Sequence, residues 1–433
     1  MEPMMVGLIG IILMLVLLAV GMPVGFGMAF VGGVGIWYFT NWEGAARMLA
    51  VIPYNLLTGY SHAVLPLFFF MANITLFSGI SRSLYEMVYK WIGRLPGGLS
   101  AATIGAATIF GAVSASAVAT CLTIGLVSIP EMKKYKYDDG MATACIAAGG
   151  VLGILIPPSG ILIIYGIMTG QSIGKLFIAG IVPGVILCIM FMTMIVTRCI
   201  INPALGPPGP STTFAEKIKS IGATAEMLLL VVIVIGGLII GWFTPTEAGA
   251  VGAFFAFVFS LARRRLNWQG FKGAVWETAS GVGMIYFLLI GAFIFNNFLT
   301  MSNIPMELAE LVAGLALPKL VIILLILVIY LILGCFIDAL AMILLTIPVF
   351  FPVAMALNLD PIWFGIVIVL VVGMGMITPP VGIGVYVIAG VAKDVPMGTI
   401  FKGIIPFLLV EVVFAALLIT FPQIATFLPS LMN

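Results

Sequence analysis

The sequence predicts an all-α polytopic membrane protein: about ten transmembrane helices plus two re-entrant hairpins, in two inverted repeats with Pro-Pro-broken helices. Three observations carry that reading. Of 433 residues, 63% are hydrophobic and 8% charged, with a mean hydropathy of +1.28, where a soluble domain carries roughly 25% charged residues. Apolar stretches of about 20 residues, the length that crosses a bilayer, recur along the whole chain. A proline pair at Pro157-Pro158 has a twin at Pro379-Pro380, 222 residues later.

Taken in order, crossings are expected near residues 4–21, 23–39, 62–79, 140–168, 176–200, 224–242, 246–262, 278–299, 361–391 and 400–421. Met4–Val20 reads as a true span, because no basic region or small-residue cleavage site marks it as a leader. Two further apolar blocks, 97–130 and 319–357, are each long enough for two segments, with Gly and polar residues at the midpoint and prolines at the end. Each is either two spans or one re-entrant hairpin. Charge helps to decide, and the blocks are read as hairpins. With both blocks returning to their own side and the N-terminus outside, all 18 lysines and arginines except Arg47, Lys175 and Lys319 face the cytoplasm, as the positive-inside rule requires. Irregular backbone at membrane depth survives only where protein or a water-filled cavity covers it, so both hairpins are expected in the interior.

The repeat extends beyond the proline pairs. At the offset of 222, Gly153, Gly160 and Ile161 meet Gly375, Gly382 and Ile383, Pro130 meets Pro352, and Asp138 meets Asp360. The first repeat is residues 1–222, with hairpin 97–130 and broken helix 140–168. The second is 223–433, with hairpin 319–357 and broken helix 361–391. Five crossings per half make the two orientations opposite, the plan of many secondary transporters, whose sites lie near the midplane.

The chemistry expected of such a chain follows from the breaks. A proline pair frees carbonyls of the preceding turn, which can coordinate a cation. The half-helix that starts at Ser159-Gly160 offers free N–H groups and a partial positive charge to an anion. Ser114 and Ser116 fall at the turn of the first hairpin, in "GAVSASAVAT" (Gly111–Thr120). Asp338 falls at the midpoint of the second, with no other charge between Lys319 and Asp360. A carboxylate alone at such depth is costly and marks a functional interior. Glu411 is the other embedded acid, in a helix without a break. His62, the only histidine, is placed at the interface rather than in chemistry. The five cysteines lie in or beside apolar runs and read as small buried hydrophobes. No basic tract suggests nucleic acid. No ring of charges suggests a channel, and no Ser-His or Ser-Lys dyad, aspartate pair or HExxH helix suggests an intramembrane protease.

The chain resembles the large membrane (M) subunit of tripartite ATP-independent periplasmic (TRAP) transporters, the DctM-like family, over nearly its full length. The resemblance rests on "GILIPPSGILIIYG" (Gly153–Gly166), "GWFTPTEAGAVGAF" (Gly241–Phe254), "LDPIWFGIV" (Leu359–Val367) and "GMITPPVGIGVYV" (Gly375–Val387). "TPTE" also has a local explanation, a capping box of Thr244 and Glu247. The resemblance implies sodium-coupled uptake of an organic anion, a C4-dicarboxylate or a sugar acid such as sialic acid, across the bacterial inner membrane by an elevator mechanism. It implies a periplasmic substrate-binding protein and a small four-helix (Q-type) membrane subunit, a separate chain here because too few residues precede Met4 to hold it. It implies one sodium site at Ser114, Ser116, Gly153 and Pro157, and another at Gly334, Asp338, Gly375 and Thr378. The substrate would lie among Pro158, Ser159, Gly160 and Pro380. Val381 stands where the first half has Ser159, so anion contacts should be asymmetric. No cofactor is implied beyond Na+ as coupling ion, and membrane lipid is the remaining partner. The rival reading is a stand-alone sodium/carboxylate symporter of the divalent-anion type.

Overall fold

A computed structural model describes residues 2–114, 116–209, 212–314 and 317–432, and every regular element among them is helical. The first half runs α1 (Pro3–Ala19), α2 (Val24–Phe39), α3 (Trp42–Thr58), α4 (Val64–Phe77), α5 (Ile80–Ile92), α6 (Gly98–Ser114), α7 (Ala117–Lys134), α8 (Asp139–Leu155), α9 (Gly160–Thr169) and α10 (Ile173–Ile201). The second runs α11 (Phe214–Ile240), α12 (Pro245–Ala262), α13 (Trp268–Met301), α14 (Ile304–Gly314), α15 (Lys319–Gly334), α16 (Ala339–Ala356), α17 (Pro361–Ile377), α18 (Ile383–Val391), α19 (Met397–Thr420) and α20 (Gln423–Ser430). The 222-residue offset reappears in the boundaries: α7 and α16 start that far apart, as do α8 and α17.

The centre is built from α8 and α17. Every residue from Gly140 to Leu155 and from Ile362 to Ile377 is buried, as befits helices that are apolar all round. Asp138 and Asp360, matched by the repeat, have the same local task. Each is an N-cap, accepting from the Met141 or Trp363 N–H at 2.8 Å and satisfying a donor the helix start leaves open. Around this centre, α2 lies along α13 at backbone contact. A Cβ on Gly32 would come within 2.7 Å of the Phe295 nitrogen, and one on Gly291 within 2.3 Å of the Gly25 carbonyl oxygen. Small residues give membrane helices this approach.

The blocks 97–130 and 319–357 are helical hairpins, α6–α7 and α15–α16. The ends of the first are tied to one side of the bundle. Gly97 N–H donates to the Gly206 carbonyl at 2.9 Å. Leu99 N–H donates to the Tyr137 hydroxyl, which donates on to the Pro207 carbonyl at 2.8 Å.

The structure departs from expectation in four places. The amphipathic helices α3, α5 and α14 lie between crossings, where a search for long apolar runs sees only polar interruption. Helix α13 has 34 residues rather than the 22 of 278–299, because its mixed first turns, "WQGFKGAVWETAS", also hold helix. Helix α11 opens ten residues before 224, at a capping box of Thr213 and Glu216, so the 222/223 boundary falls inside a helix. The second hairpin is not interior throughout. In α15, Leu324, Leu325, Val328 and Ile332 are exposed, because that helix packs on α16 and α17 through one face only.

Candidate functional site

Both proline pairs break their helices as expected, between α8 and α9 and between α17 and α18, and each pair is joined by a cis peptide bond. The breaks differ in setting. Val151–Gly160 is buried throughout, whereas Pro379 and Pro380 are exposed. Ser159 is the N-cap of α9. Its hydroxyl donates to the Ile154 carbonyl and accepts from the Leu162 N–H at 3.4 Å. The side chain makes both of these bonds within the break. Open donors remain on the backbone: neither Ser159, Gly160 nor Ile161 gives its N–H to the backbone of any described residue. In the second half the cap is Gly382, at φ +61° with no side-chain bond, and its N–H donates to the Cys335 carbonyl at 3.2 Å. The two half-helices thus differ in capping, by the Ser159 side chain in the first and by Gly382 without one in the second.

Each hairpin meets its broken helix through a glycine pair. A Cβ on Gly111 would lie 2.5 Å from the Gly153 Cα, and one on Gly375 would lie 2.7 Å from the Gly334 Cα. Beyond the first pair sits a hydroxyl cluster. Ser114 Oγ and Thr120 Oγ1 are 2.7 Å apart, and Thr120 also donates to the Ser116 carbonyl at 2.8 Å. Beyond the second pair, Asp338 caps α16, accepting from the Leu340 N–H at 3.1 Å. Cys335 Sγ lies 3.3 Å from the Pro379 carbonyl, and Thr378 Oγ1 donates to the Met374 carbonyl at 2.6 Å.

A cavity of about 160 Å³ joins these parts. Ser116 and Ala117 from the first tip, Asp338 and Ala339 from the second, Gly160 from the start of α9 and Met376 from α17 line it. Phe69 of α4 and Gly281, Met284 and Ile285 of α13 close the far wall. Of the residues expected to hold cation or substrate, Ser116, Asp338 and Gly160 reach this cavity. Ser114, Gly153, Gly334, Gly375 and Thr378 sit behind it at the glycine crossings, and Pro157, Pro158 and Pro380 lie in the breaks without lining it.

Two hairpin tips meeting one broken helix at a carboxylate-bearing cavity is a transporter's geometry, and comparison with known proteins agrees. The family model for the tripartite ATP-independent periplasmic transporter, DctM component, matches residues 11–424. The chain belongs to this family. It is 34% identical to the sialic acid TRAP transporter large permease protein SiaM of Vibrio cholerae, over 96% of each chain. It is 33% identical to the C4-dicarboxylate TRAP transporter large permease protein DctM of Pseudomonas aeruginosa, over 89% of this chain and 90% of that one. The fold is similar to that of the Alcanivorax borkumensis YdaH transporter, with a TM-score of 0.63 at 16% identity, covering 89% of this chain and 90% of that one. The protein is therefore a multi-pass membrane permease, and its relatives are transporters rather than enzymes.

Three residues of this TRAP permease's candidate site escaped the sequence reading. Thr120 completes the hydroxyl cluster, and a Cβ on Gly153 would lie 2.8 Å from its Oγ1. The sequence did not show it, because a threonine in an apolar helix ordinarily bonds only to its own backbone, as Thr120 also does to the Ser116 carbonyl. Gly111 and Cys335 carried no signal of their own, since glycine and cysteine are common in membrane helices.

Proposed function

We propose that this permease couples inward sodium movement to uptake of an organic anion across the bacterial inner membrane. The substrate class is a carboxylate, a C4-dicarboxylate or a sugar acid such as sialic acid, as the names of the two relatives suggest. A periplasmic binding protein delivers it, a small membrane subunit pairs with this chain, and the hairpins and broken helices move as one body in an elevator motion.

The observation that carries the reading is the cavity. An anion bound at the open N–H of Gly160 would share that space with the Asp338 carboxylate, and two like charges in low dielectric repel strongly. A cation held at the tips offsets that repulsion, so anion and cation bind better together than apart. The available donors are hydroxyl, carboxylate and carbonyl oxygens (Ser114, Ser116, Thr120, Asp338, and the backbone at Gly153 and Gly375), the ligand type that hard cations take. The far wall, from α4 and α13, belongs to helices outside the hairpin and broken-helix group, as a sliding boundary needs.

The test is transport in proteoliposomes holding the permease, its small subunit and its binding protein. Uptake is expected with an inward sodium gradient and not when potassium replaces sodium on both sides. Equal rates in the two conditions would overturn the coupling.

A further inference from the structure

A second pocket, of about 460 Å³, lies between α5 and α7, at the end of the bundle where the first hairpin's ends are tied. Its size falls within the range of small-molecule sites, roughly 300–1,000 Å³. Helix α5 turns Tyr85, Glu86, Tyr89 and Lys90 towards it, and α7 supplies Glu131 and Lys134. The rings of Tyr85 and Tyr89 stack at 6.5 Å and 9°. Both their hydroxyls are buried without a hydrogen-bond partner among the described residues. Lys134 lies 3.9 Å from Glu131 and 5.4 Å from the Tyr135 ring centroid.

Two features define what fits. The polar wall carries both signs at close quarters, so its ligand carries both. The pocket also continues into an apolar track. Leu126 lines it and is 64% exposed, and Leu122, one turn nearer the hairpin tip, is 40% exposed. That track runs from the charged end of the bundle towards membrane depth, which is how an amphiphile lies.

We propose that this pocket binds a zwitterionic phospholipid with a primary-ammonium headgroup, a phosphatidylethanolamine. The phosphate accepts from Lys90 and Lys134 over the faces of the two tyrosines, the ammonium donates to Glu86 and Glu131, and one acyl chain lies along Leu126 and Leu122. A quaternary ammonium has no N–H to give the two carboxylates, and a glycerol headgroup has no positive charge to place between them. The lipid would tether the amphipathic α5 to the hairpin helix α7.

The experiment is native mass spectrometry of the full chain, delipidated in detergent. Phosphatidylethanolamine, phosphatidylcholine and phosphatidylglycerol of identical chains are titrated in turn, with soluble glycerophosphoethanolamine as the chain-free control. The ethanolamine lipid should bind at one site about tenfold more tightly than the choline lipid, the scale of one charge-assisted hydrogen bond. It should also bind more tightly than the glycerol lipid and the soluble headgroup. Glu86→Gln with Glu131→Gln should erase the ethanolamine-over-choline preference while leaving weak lipid binding. Equal binding of the ethanolamine and choline lipids by the unmodified chain would overturn the proposal. So would a preference for the glycerol lipid, equal binding of the soluble headgroup, or a preference that survives the double substitution in a protein with an unchanged unfolding midpoint.

Discussion

Gly153 and Gly375 occupy matching places in the two halves, but a methyl group added at each meets a different neighbour. At Gly375 the nearest atom is the backbone Cα of Gly334 at 2.7 Å, and at Gly153 it is the side-chain oxygen of Thr120 at 2.8 Å. A hydroxyl can rotate away, whereas a helix backbone cannot. Gly375→Ala should therefore lower the unfolding midpoint in detergent by an overpacking cost of about 1–3 kcal/mol. Gly222→Ala, which meets nothing within 4 Å, should raise it by up to about 1 kcal/mol through helix propensity. A Gly375→Ala protein as stable as the parent would mean that the α15–α17 crossing is looser than described. Glu411 poses the opposite case. It is fully buried, and both its carboxyl oxygens lack a partner among the described residues, a state that costs stability. Glu411→Met keeps the volume and removes both oxygens, so its unfolding midpoint should rise. A fall would reveal a polar contact that the carboxyl makes in solution. At this scale the sequence shows charge more readily than hydroxyls. Asp338 stands out because nothing else charged is near it. Thr120 does not, because a threonine in an apolar helix ordinarily bonds to its own backbone, and only the fold shows that its oxygen also meets Ser114. Ser159 was legible as a polar group at a break, but not as one whose bonds are all internal.

At the scale of elements, the first break invites a direct test. Alanine at both Pro157 and Pro158 restores two backbone donors and removes the rings that keep α8 and α9 apart. A continuous helix would then consume the open N–H groups of Ser159, Gly160 and Ile161, so transport should collapse although the protein still reaches the membrane. Ser159→Ala should be milder, because that hydroxyl serves Ile154 and Leu162 rather than the cavity. Uptake at the parent rate by the double-alanine protein would reduce the prolines to a kink. The broken helices were readable from sequence because a Pro-Pro pair inside an apolar run has few structural meanings, and its recurrence after 222 residues removes most of them. Helices α3, α5 and α14 were not, since an amphipathic segment between crossings has the composition of a loop. The α5–α7 pocket was hidden for the same reason, as it is built on a helix that the span search passes over.

At the scale of the whole molecule, sidedness joins sequence to structure. The charge count alone requires both ambiguous apolar blocks to return to their own side, because a single crossing in either would scatter lysines and arginines over both faces. The structure bears on the same point through bonds. Gly97 pairs with Gly206, and Tyr137 bridges Leu99 and Pro207. The Thr212 hydroxyl donates to the Lys90 carbonyl at 2.7 Å. The loops around 93–98, 135–138, 202–209 and 212–213 are thus one polar surface, and a membrane cannot pass between them. All five native cysteines are buried, so a cysteine-free background should be attainable by small apolar replacements. In that background Arg94→Cys and Lys134→Cys should both resist an impermeant thiol reagent applied from the periplasm, and both should react once the membrane is opened. Lys175→Cys, beyond α9, should react from the periplasm at once, because the α8–α9 unit lies between it and that surface. Labelling of Lys134→Cys but not Arg94→Cys would place a bilayer between two loops that the hydrogen bonds hold together. The hairpin reading of α6–α7 would then fail, and with it the cavity in which its tip meets Asp338.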